Sequence, residues 1–228
     1  FQSIESYIET PGFLMELFAR EKPDVVVHLA AQAGVRYSIE NPRSYLDSNI
    51  VGTFELLEAG RAYPPQHMLL ASTSSAFGAN TEMPYQENQK ADHQMSFYAA
   101  TKKATENMAH SYSHLYNLPV TMFRFFTVYG PAGRPDMAYY GFTDKLRAGK
   151  TIQIFNYGNC KRDFTYIDDI VTGVEKVMAK APDRATGEDG LPVPPYALYN
   201  IGNNNPENLL DFVQILSEEL VRAGVLPE

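Results

Sequence analysis

A tyrosine and a lysine stand four residues apart in the segment Tyr98-Ala-Ala-Thr-Lys102. On a helix these two side chains lie on one face, so the ammonium group can sit beside the phenol. A phenol with a pKa of about 10 is a poor base at neutral pH, but a nearby cation favours the phenolate and lowers that pKa. Tyr98 is therefore a candidate proton acceptor, although an ordinary exposed helix face shows the same spacing.

A run of hydroxyl side chains, Ser72-Thr73-Ser74-Ser75, precedes this pair, with Thr73 standing 25 residues before Tyr98. Hydroxyl groups can hold a substrate alcohol and stabilise the charge that develops on its oxygen. They are also frequent in simple turns, so the run alone leaves both roles open.

The elements that must position these residues alternate along the chain. Short β-branched and apolar runs indicate buried parallel strands, and longer segments between them have the spacing of helices. The pattern predicts a doubly wound parallel sheet with helices on both faces and ligands beyond the carboxyl ends of the strands. The predicted strands are 24–30, 67–72 and 120–125, and the predicted helices are 11–20, 42–62 and 96–116.

The alternation loosens after Gly130, where the pattern predicts a smaller α/β subdomain. At the other end of the chain, Thr10 and Pro11 are predicted as the N-cap and first residue of the first helix. The elements predicted for the second half are a helix at 138–149, a strand at 151–155, a surface loop at 182–195, a strand at 197–201 and a helix at 206–224.

Composition excludes several classes of protein. The net charge of −8 argues against a nucleic-acid or anionic-membrane surface, and no apolar run is long enough to span a membrane. Cys160 is the only cysteine, so an internal disulfide is impossible and a reducing cytoplasm fits the chain. The five histidines and this cysteine show no metal-ligand spacing, and no metal site is predicted.

Six motifs in order resemble the extended short-chain dehydrogenase/reductase family, and most closely its NAD-dependent nucleotide-sugar epimerases. The resemblance covers about residues 11–216. It implies a Rossmann-like NAD-binding domain at 1–130 and 161–204 and a UDP-sugar-binding subdomain at 131–160 and 205–228. The motifs are His28-Leu-Ala-Ala31, Asn49-Ile-Val-Gly-Thr53, Ala71-Ser-Thr-Ser-Ser-Ala-Phe-Gly78, Tyr98-Ala-Ala-Thr-Lys102, Arg124-Phe-Phe-Thr-Val-Tyr-Gly-Pro131 and Arg162-Asp-Phe-Thr-Tyr-Ile-Asp-Asp169.

The glycine-rich turn of this family has no counterpart before the first predicted strand, and the family's C-terminal part has none after Glu228. The resemblance therefore implies that the first βαβ unit, which holds the NAD pyrophosphate, is missing. Two hypotheses follow: a catalytic chain that needs this unit, or a non-catalytic fragment that acts as an interaction module without NAD.

The resemblance implies transient oxidation of a sugar at C4 and reduction from the other face, with NAD as cofactor. Tyr98 would take the hydroxyl proton, Lys102 would lower the pKa of the phenol and contact the nicotinamide ribose, and Thr73 would hold the sugar O4. Packing inside the protein is the alternative role for several of the residues implied to contact NAD, and for Asn49 the alternative is to satisfy backbone groups. These residues are Leu29, Ala30, Ala31, Gln32, Asn49, Ser72, Tyr98, Lys102 and Phe125.

The implied substrate is a UDP-sugar. Arg162 corresponds to the position that binds the diphosphate, whereas the other arginines could be surface charges. Thr127 leaves room for a C6 carboxylate and favours conversion of UDP-glucuronate to UDP-galacturonate, with UDP-glucose/galactose 4-epimerisation as the alternative. Ser75, where related dehydratases and UDP-xylose synthases have glutamate, favours epimerisation over their reactions. The implied substrate contacts are Arg36, Thr73, Ser74, Ser75, Thr127, Arg134 and Arg162.

The family also implies a homodimer that pairs helices 42–62 and 96–116 across a two-fold axis. The apolar residues of both helices could equally belong to the molecule's own core, because each helix must cover the sheet.

Overall fold

The computed structural model describes residues 1–227, apart from the side chain of Phe155. Contacts between residues divide the chain into two compact units. Unit 1 comprises Phe1–Phe125 and Gly173–Ile201, and unit 2 comprises Phe126–Thr172 and the chain from Gly202 onward.

Strands and helices alternate through most of the chain. A π-helical segment, Leu46–Val51, joins α3 to α4, and a 3-10 turn at Ser74–Phe77 follows β2. The strands are β1 (Val25–His28), β2 (His67–Thr73), β3 (Val120–Phe125), β4 (Thr127–Tyr129), β5 (Lys161–Tyr166), β6 (Ala185–Thr186), β7 (Pro192–Val193), β8 (Tyr196–Ile201) and β9 (Pro206–Asn208). The helices are α1 (Phe13–Glu21), α2 (Tyr37–Glu40), α3 (Pro42–Tyr45), α4 (Gly52–Ala62), α5 (Phe97–Tyr116), α6 (Ala138–Arg147), α7 (Ile167–Met178) and α8 (Leu209–Arg222).

A four-stranded parallel sheet in the order β1-β2-β3-β8 forms the centre of unit 1. Its ladder places Ser72 opposite Arg124, and Thr73 opposite Phe125. Because parallel neighbours need crossover connections, helices run between β1 and β2 and between β2 and β3. The predicted Rossmann-like α/β architecture with a parallel sheet is confirmed.

Apolar side chains of α1, α4 and α5 cover one face of this sheet. The opposite face carries His67, whose ring nitrogens lie 2.8 Å from Thr121 Oγ1 and 3.1 Å from the carbonyl of Met178 at the end of α7. Helices therefore lie on both faces. The buried core on the first face comprises Leu14, Phe18, Leu56, Leu57, Ala59, Met68, Leu70, Ala109, Leu118, Val120 and Met122.

The burial predicted for the first strand is wrong for most of its residues. Within β1 only His28 is buried, whereas Val25 and Val27 are exposed. Among the described residues β1 has a single neighbour, β2, and this edge position leaves its apolar side chains uncovered.

Unit 2 is built on a three-stranded sheet in the order β4-β5-β9, parallel between β4 and β5 and antiparallel between β5 and β9. The carboxylate of Asp163 on β5 accepts backbone hydrogen bonds from Asn203 at 3.1 Å and Asn204 at 3.0 Å. Because β5 pairs with these strands, residues 161–172 lie in unit 2, whereas the sequence prediction grouped 161–204 with the larger domain.

Several predicted elements have other bounds, each for a local reason. The first helix is capped at Gly12 in the left-handed region (φ 79°), so Thr10 is not its N-cap. The predicted helix 42–62 is interrupted by the π-helical segment. The last helix begins only at Leu209, because Pro206–Asn208 pairs with β5 instead.

Two predictions in the second half of the chain are also corrected. Residues 151–154 form no regular element, since no described strand pairs with them and a strand is stabilised by its neighbours across the sheet. The predicted loop at 182–195 contains the two-stranded hairpin of β6 and β7. Among residues 1–227, no helix combines the length and the apolar character that a membrane crossing requires.

Candidate active site

The hydroxyl run begins within β2, whose last two residues, Ser72 and Thr73, are buried. Thr73 ends the strand, is 8% exposed, and accepts a 3.2 Å hydrogen bond at Oγ1 from the backbone N–H of Ser75. This contact starts the 3-10 turn that carries Ser74 and Ser75, both half-buried. A hydroxyl that accepts at its oxygen keeps its own hydrogen for donation, so Thr73 can donate to a substrate oxygen.

The helix α5 carries the tyrosine and the lysine near its N-terminus. Ser96 is the N-cap, because its Oγ accepts a 3.1 Å hydrogen bond from the backbone N–H of Ala99. The ring of Tyr98 meets the buried Tyr45 edge-on, with 6.0 Å between ring centroids. The hydroxyl of Tyr45 in turn lies 2.6 Å from the carbonyl of Gly34, so the loop after β1 helps to orient the Tyr98 ring.

Lys102 lies one turn after Tyr98 and is 3% exposed. Burial lowers the pKa of Lys102 from 10.5 to about 8, and the attraction of the Glu106 carboxylate opposes this fall. A cation that is poorly solvated acts strongly on its neighbours, because little water screens it. The arrangement is therefore chemically able to favour a phenolate at Tyr98.

His28 ends β1 and is also buried. Burial, and then repulsion from Lys102, lowers the pKa of His28 to about 4. The imidazole is consequently neutral at pH 7 and adds no second positive charge beside Lys102.

The low pKa of His28 predicts a loss of stability in mild acid. The unfolded chain takes up a proton at this residue near pH 6.5, whereas the folded protein does so only near pH 4. The contribution of His28 to the free energy of unfolding is therefore at its full value above pH 6.5, and it is lost as the pH falls toward 4. Between pH 7 and pH 5 we expect His28 alone to lower the free energy of unfolding by about 2 kcal/mol.

Urea denaturation at both pH values tests this expectation. In His28→Gln the loss between pH 7 and pH 5 should be smaller by that amount, whereas His114→Gln, at an exposed position on α5, should behave as the wild type. An acid loss of the same size in His28→Gln and in the wild type would contradict the assignment.

Asn49 lies in the π-helical segment and is 1% exposed. Its Oδ1 accepts from the backbone N–H of Gln32 at 2.9 Å, and its Nδ2 donates to the Gln32 carbonyl at 3.1 Å and to Thr101 Oγ1 at 2.9 Å. These bonds match the alternative role considered for Asn49, the satisfaction of backbone groups. They fix the loop after β1 against α5, and π-helical insertions are frequent at functional sites.

The residues just after β1 are open to solvent. Leu29, Ala30 and Ala31 are exposed, and Ala30–Gln32 line a shallow depression together with Ser6–Glu9 and Ser48. Small side chains at a strand end let a flat group lie close to the backbone, and Asn49 holds that backbone still. These residues fit a nucleotide cofactor such as NAD.

Sequence reasoning missed the buried charges beside this site. Ser72 and Arg124, both on sheet strands, bind the carboxylate of Glu106 on α5. The hydroxyl of Ser72, predicted to contact NAD, is therefore engaged within the protein. One signal was present: Arg124 interrupts the apolar strand Val120–Phe125, and Glu106 shares a helix face with Lys102.

Two of the remaining predicted residues lie in unit 1 and three lie in unit 2. Phe125 is half-buried at the end of β3, and Arg36 is exposed just before α2. In unit 2, Thr127 begins β4, and Arg162 on β5 is exposed. The guanidinium of Arg134 forms an ion pair with the carboxylate of Asp136 through two hydrogen bonds of 2.8 and 3.0 Å. The structure thus brings the predicted catalytic residues into unit 1 and distributes the predicted substrate contacts over both units.

Within residues 1–227, no cluster of three or more histidine, cysteine or acidic side chains could hold a metal ion.

The parallel sheet with helices on both faces defines a Rossmann-like α/β protein, and its helix α5 carries the candidate tyrosine–lysine pair. The chain belongs to the NAD dependent epimerase/dehydratase family, whose model matches residues 3–202.

Among similar proteins, Protein CapI of Staphylococcus aureus is 52% identical over 93% of this chain and 66% of its own length. A probable UDP-glucuronate 4-epimerase of Rhizobium meliloti is 44% identical over 99% of this chain and 68% of its own length. The solved UDP-glucuronic acid 4-epimerase from Bacillus cereus, in complex with UDP-glucuronic acid and NAD, has a TM-score of 0.80 and 32% identity over 94% of this chain and 63% of that chain. The chain thus spans 63–68% of the length of these three proteins, and it spans about half the length of the UDP-glucuronate 4-epimerases of Arabidopsis thaliana that it also matches.

Proposed function

We propose that the protein is an NAD-dependent UDP-sugar 4-epimerase and that it converts UDP-glucuronate to UDP-galacturonate. The observation that carries the proposal is the buried Lys102, one turn from Tyr98 on α5, in a chain of the epimerase/dehydratase family. A buried cation beside a phenol supports proton transfer at neutral pH.

In the proposed reaction the residues of unit 1 handle the proton of the sugar hydroxyl. Tyr98 removes it from the C4 hydroxyl and returns it after the keto-sugar has turned over. Lys102 favours the phenolate form of Tyr98, and Thr73 donates a hydrogen bond to the sugar O4. NAD, when bound, supplies the transient oxidation, and the exposed strand end at Leu29, Ala30 and Ala31 would hold it, with Gln32 and Phe125 beside it.

The choice of UDP-glucuronate is supported by the names of similar proteins and by Thr127. Two of the relatives compared above carry UDP-glucuronate 4-epimerase in their names. A small hydroxyl side chain at 127 leaves room for the C6 carboxylate. The contacts proposed for the rest of the substrate remain predictions; they involve Arg36, Ser74, Ser75, Arg134 and Arg162.

A substrate panel on the intact protein tests this function. With NAD present, UDP-glucuronate should give UDP-galacturonate without net NADH, at a kcat/KM at least about tenfold above that for UDP-glucose. Faster turnover of UDP-glucose would support the UDP-glucose/galactose alternative instead. Formation of only UDP-xylose or a stable keto-sugar would refute epimerisation, and absence of both turnover and NAD binding would favour the interaction-module hypothesis.

We further propose a homodimer through the 42–62 and 96–116 segments and a cytoplasmic location. Phe54 on α4 and Leu115 on α5 are large apolar side chains that are 44% and 63% exposed, as expected of a surface that a second copy could cover. A reducing compartment suits the free thiol of Cys160. Sedimentation of a strictly monomeric protein would refute the dimer.

A further inference from the structure

A buried carboxylate lies one helical turn beyond Lys102. Glu106 is 2% exposed and receives four hydrogen bonds on its two oxygens. Arg124 donates from Nε to Oε1 at 2.8 Å and from Nη2 to Oε2 at 2.7 Å. Ser72 Oγ donates to Oε1 at 2.6 Å, and Lys103 Nζ donates to Oε2 at 2.9 Å.

These bonds join three elements that carry predicted site residues, namely β2, β3 and α5. Ser72 directly precedes Thr73 on β2, and Glu106 follows Lys102 by one turn on α5. Arg124 directly precedes Phe125 on β3 and stands opposite Ser72 in the ladder. A single carboxylate therefore fixes two strand ends against the helix that carries Tyr98 and Lys102.

The charge on Glu106 also reaches Lys102. Burial alone would raise the pKa of Glu106, but hydrogen bonds from Arg124 and Ser72 outweigh it and hold the pKa below 4.5, so the group is ionised. Its attraction favours the charged form of the buried Lys102 and opposes the effect of burial. Three further ionisable groups belong to the same part of unit 1. His28 acts on Lys102 but is neutral at pH 7, and Arg124 and Lys103 are the two cations bound to Glu106.

We propose that Glu106 is a positioning residue whose negative charge keeps Lys102 protonated and aligned with Tyr98. The proposal rests on the proposed function, because it assigns to Lys102 the task of favouring the phenolate. Without the Glu106 charge, burial would favour the neutral amine, and the cation that activates Tyr98 would be lost at a lower pH. If Glu106 had a structural role only, its loss would not change the pH at which Lys102 ionises.

Glu106→Gln tests the proposal because it keeps the shape of the side chain and removes its charge. The titration of Lys102 is followed by NMR on protein with 13C-labelled lysine, with the signal assigned through Lys102→Met. We expect ionisation near pH 8 in the wild type and at a pH lower by about half a unit or more in Glu106→Gln. The alkaline limb of the kcat profile should shift in the same direction.

Glu58→Gln is the matched control. Glu58 also receives hydrogen bonds from an arginine and a hydroxyl, Arg61 and Tyr112, but it lies on α4 and is more exposed. This variant should leave the titration of Lys102 unchanged. If the folded Glu106→Gln protein titrates Lys102 at the wild-type pH, the proposal is overturned, whatever happens to activity.

Glu106→Gln leaves the buried Arg124 without its carboxylate, so the variant could fail to fold. Glu106→Gln/Arg124→Met removes both charges and avoids the unpaired cation, and it should also lower the pH at which Lys102 titrates. If the wild-type protein does not act on UDP-glucuronate, the proposed function fails while the titration still decides whether Glu106 controls the charge of Lys102.

Discussion

Replacement of Tyr98 by phenylalanine should lower kcat for UDP-glucuronate by about 10²–10⁴-fold, the range that one general acid–base group contributes. The change removes only the hydroxyl, and the ring can keep its edge-on contact with the buried Tyr45. Substrate and NAD binding should therefore stay within about threefold of the wild type, because the lost interaction acts on the transferred proton rather than on the ground state. Initial rates and equilibrium binding on the same preparations measure both quantities.

Tyr116→Phe is the control for this prediction. Tyr116 ends the same helix, is exposed and lies under the guanidinium of Arg61, so it shares the element but not the site. Its kcat should equal that of the wild type. A Tyr98→Phe protein that keeps more than about a tenth of the wild-type kcat would remove Tyr98 from the proton transfer.

The largest expected effect on stability comes from Arg124→Met. Arg124 is 1% exposed, pairs with Glu106 through two hydrogen bonds and lies 4.5 Å from the centre of the Phe77 ring. Removing one partner of a buried pair leaves the other charge poorly compensated, and such changes cost about 3–5 kcal/mol. We expect a loss of that size in the free energy of unfolding, measured by urea denaturation at pH 7.

Arg61→Met supplies the matched comparison, since Arg61 makes the same two kinds of contact at the surface. It pairs with Glu58 at 3.2 Å and lies 4.5 Å from the centre of the Tyr116 ring. Water screens this pair, so its removal should change stability little. Equal losses in the two variants would show that burial does not set the strength of the Arg124–Glu106 pair.

The sequence predicted correctly those helices and strands whose residue pattern matches their place in the fold. The helix predicted at 96–116 is α5 (Phe97–Tyr116), and the apolar run Val120–Phe125 is a central strand. The strand predicted at 151–155 is wrong, because no described strand pairs with residues 151–154. The cap of α1 is Gly12 and not the predicted Thr10, because the residue before this helix has a left-handed conformation that glycine adopts without strain.

At the candidate site, too, only some of the residues could be predicted from the sequence. Tyr98, Lys102 and Thr73 could be proposed as site residues from the sequence, because their spacing is local or belongs to a known motif order. Glu106 and Arg124 are 18 residues apart on different elements. The register of β2 and β3 together with the packing of α5 brings both residues to Ser72. A buried ion pair of this kind depends on tertiary packing, which periodicity along the chain does not encode.

The most direct test of the central claim uses UDP-glucuronate that carries deuterium at C4, incubated with the intact protein and NAD in ordinary water. Transient oxidation and reduction at C4 within one site predicts UDP-galacturonate that keeps its deuterium at C4, because the atom removed is the atom returned. Product whose C4 deuterium has been exchanged for solvent hydrogen, or product inverted at C4 by Tyr98→Phe at the wild-type rate, would contradict the account.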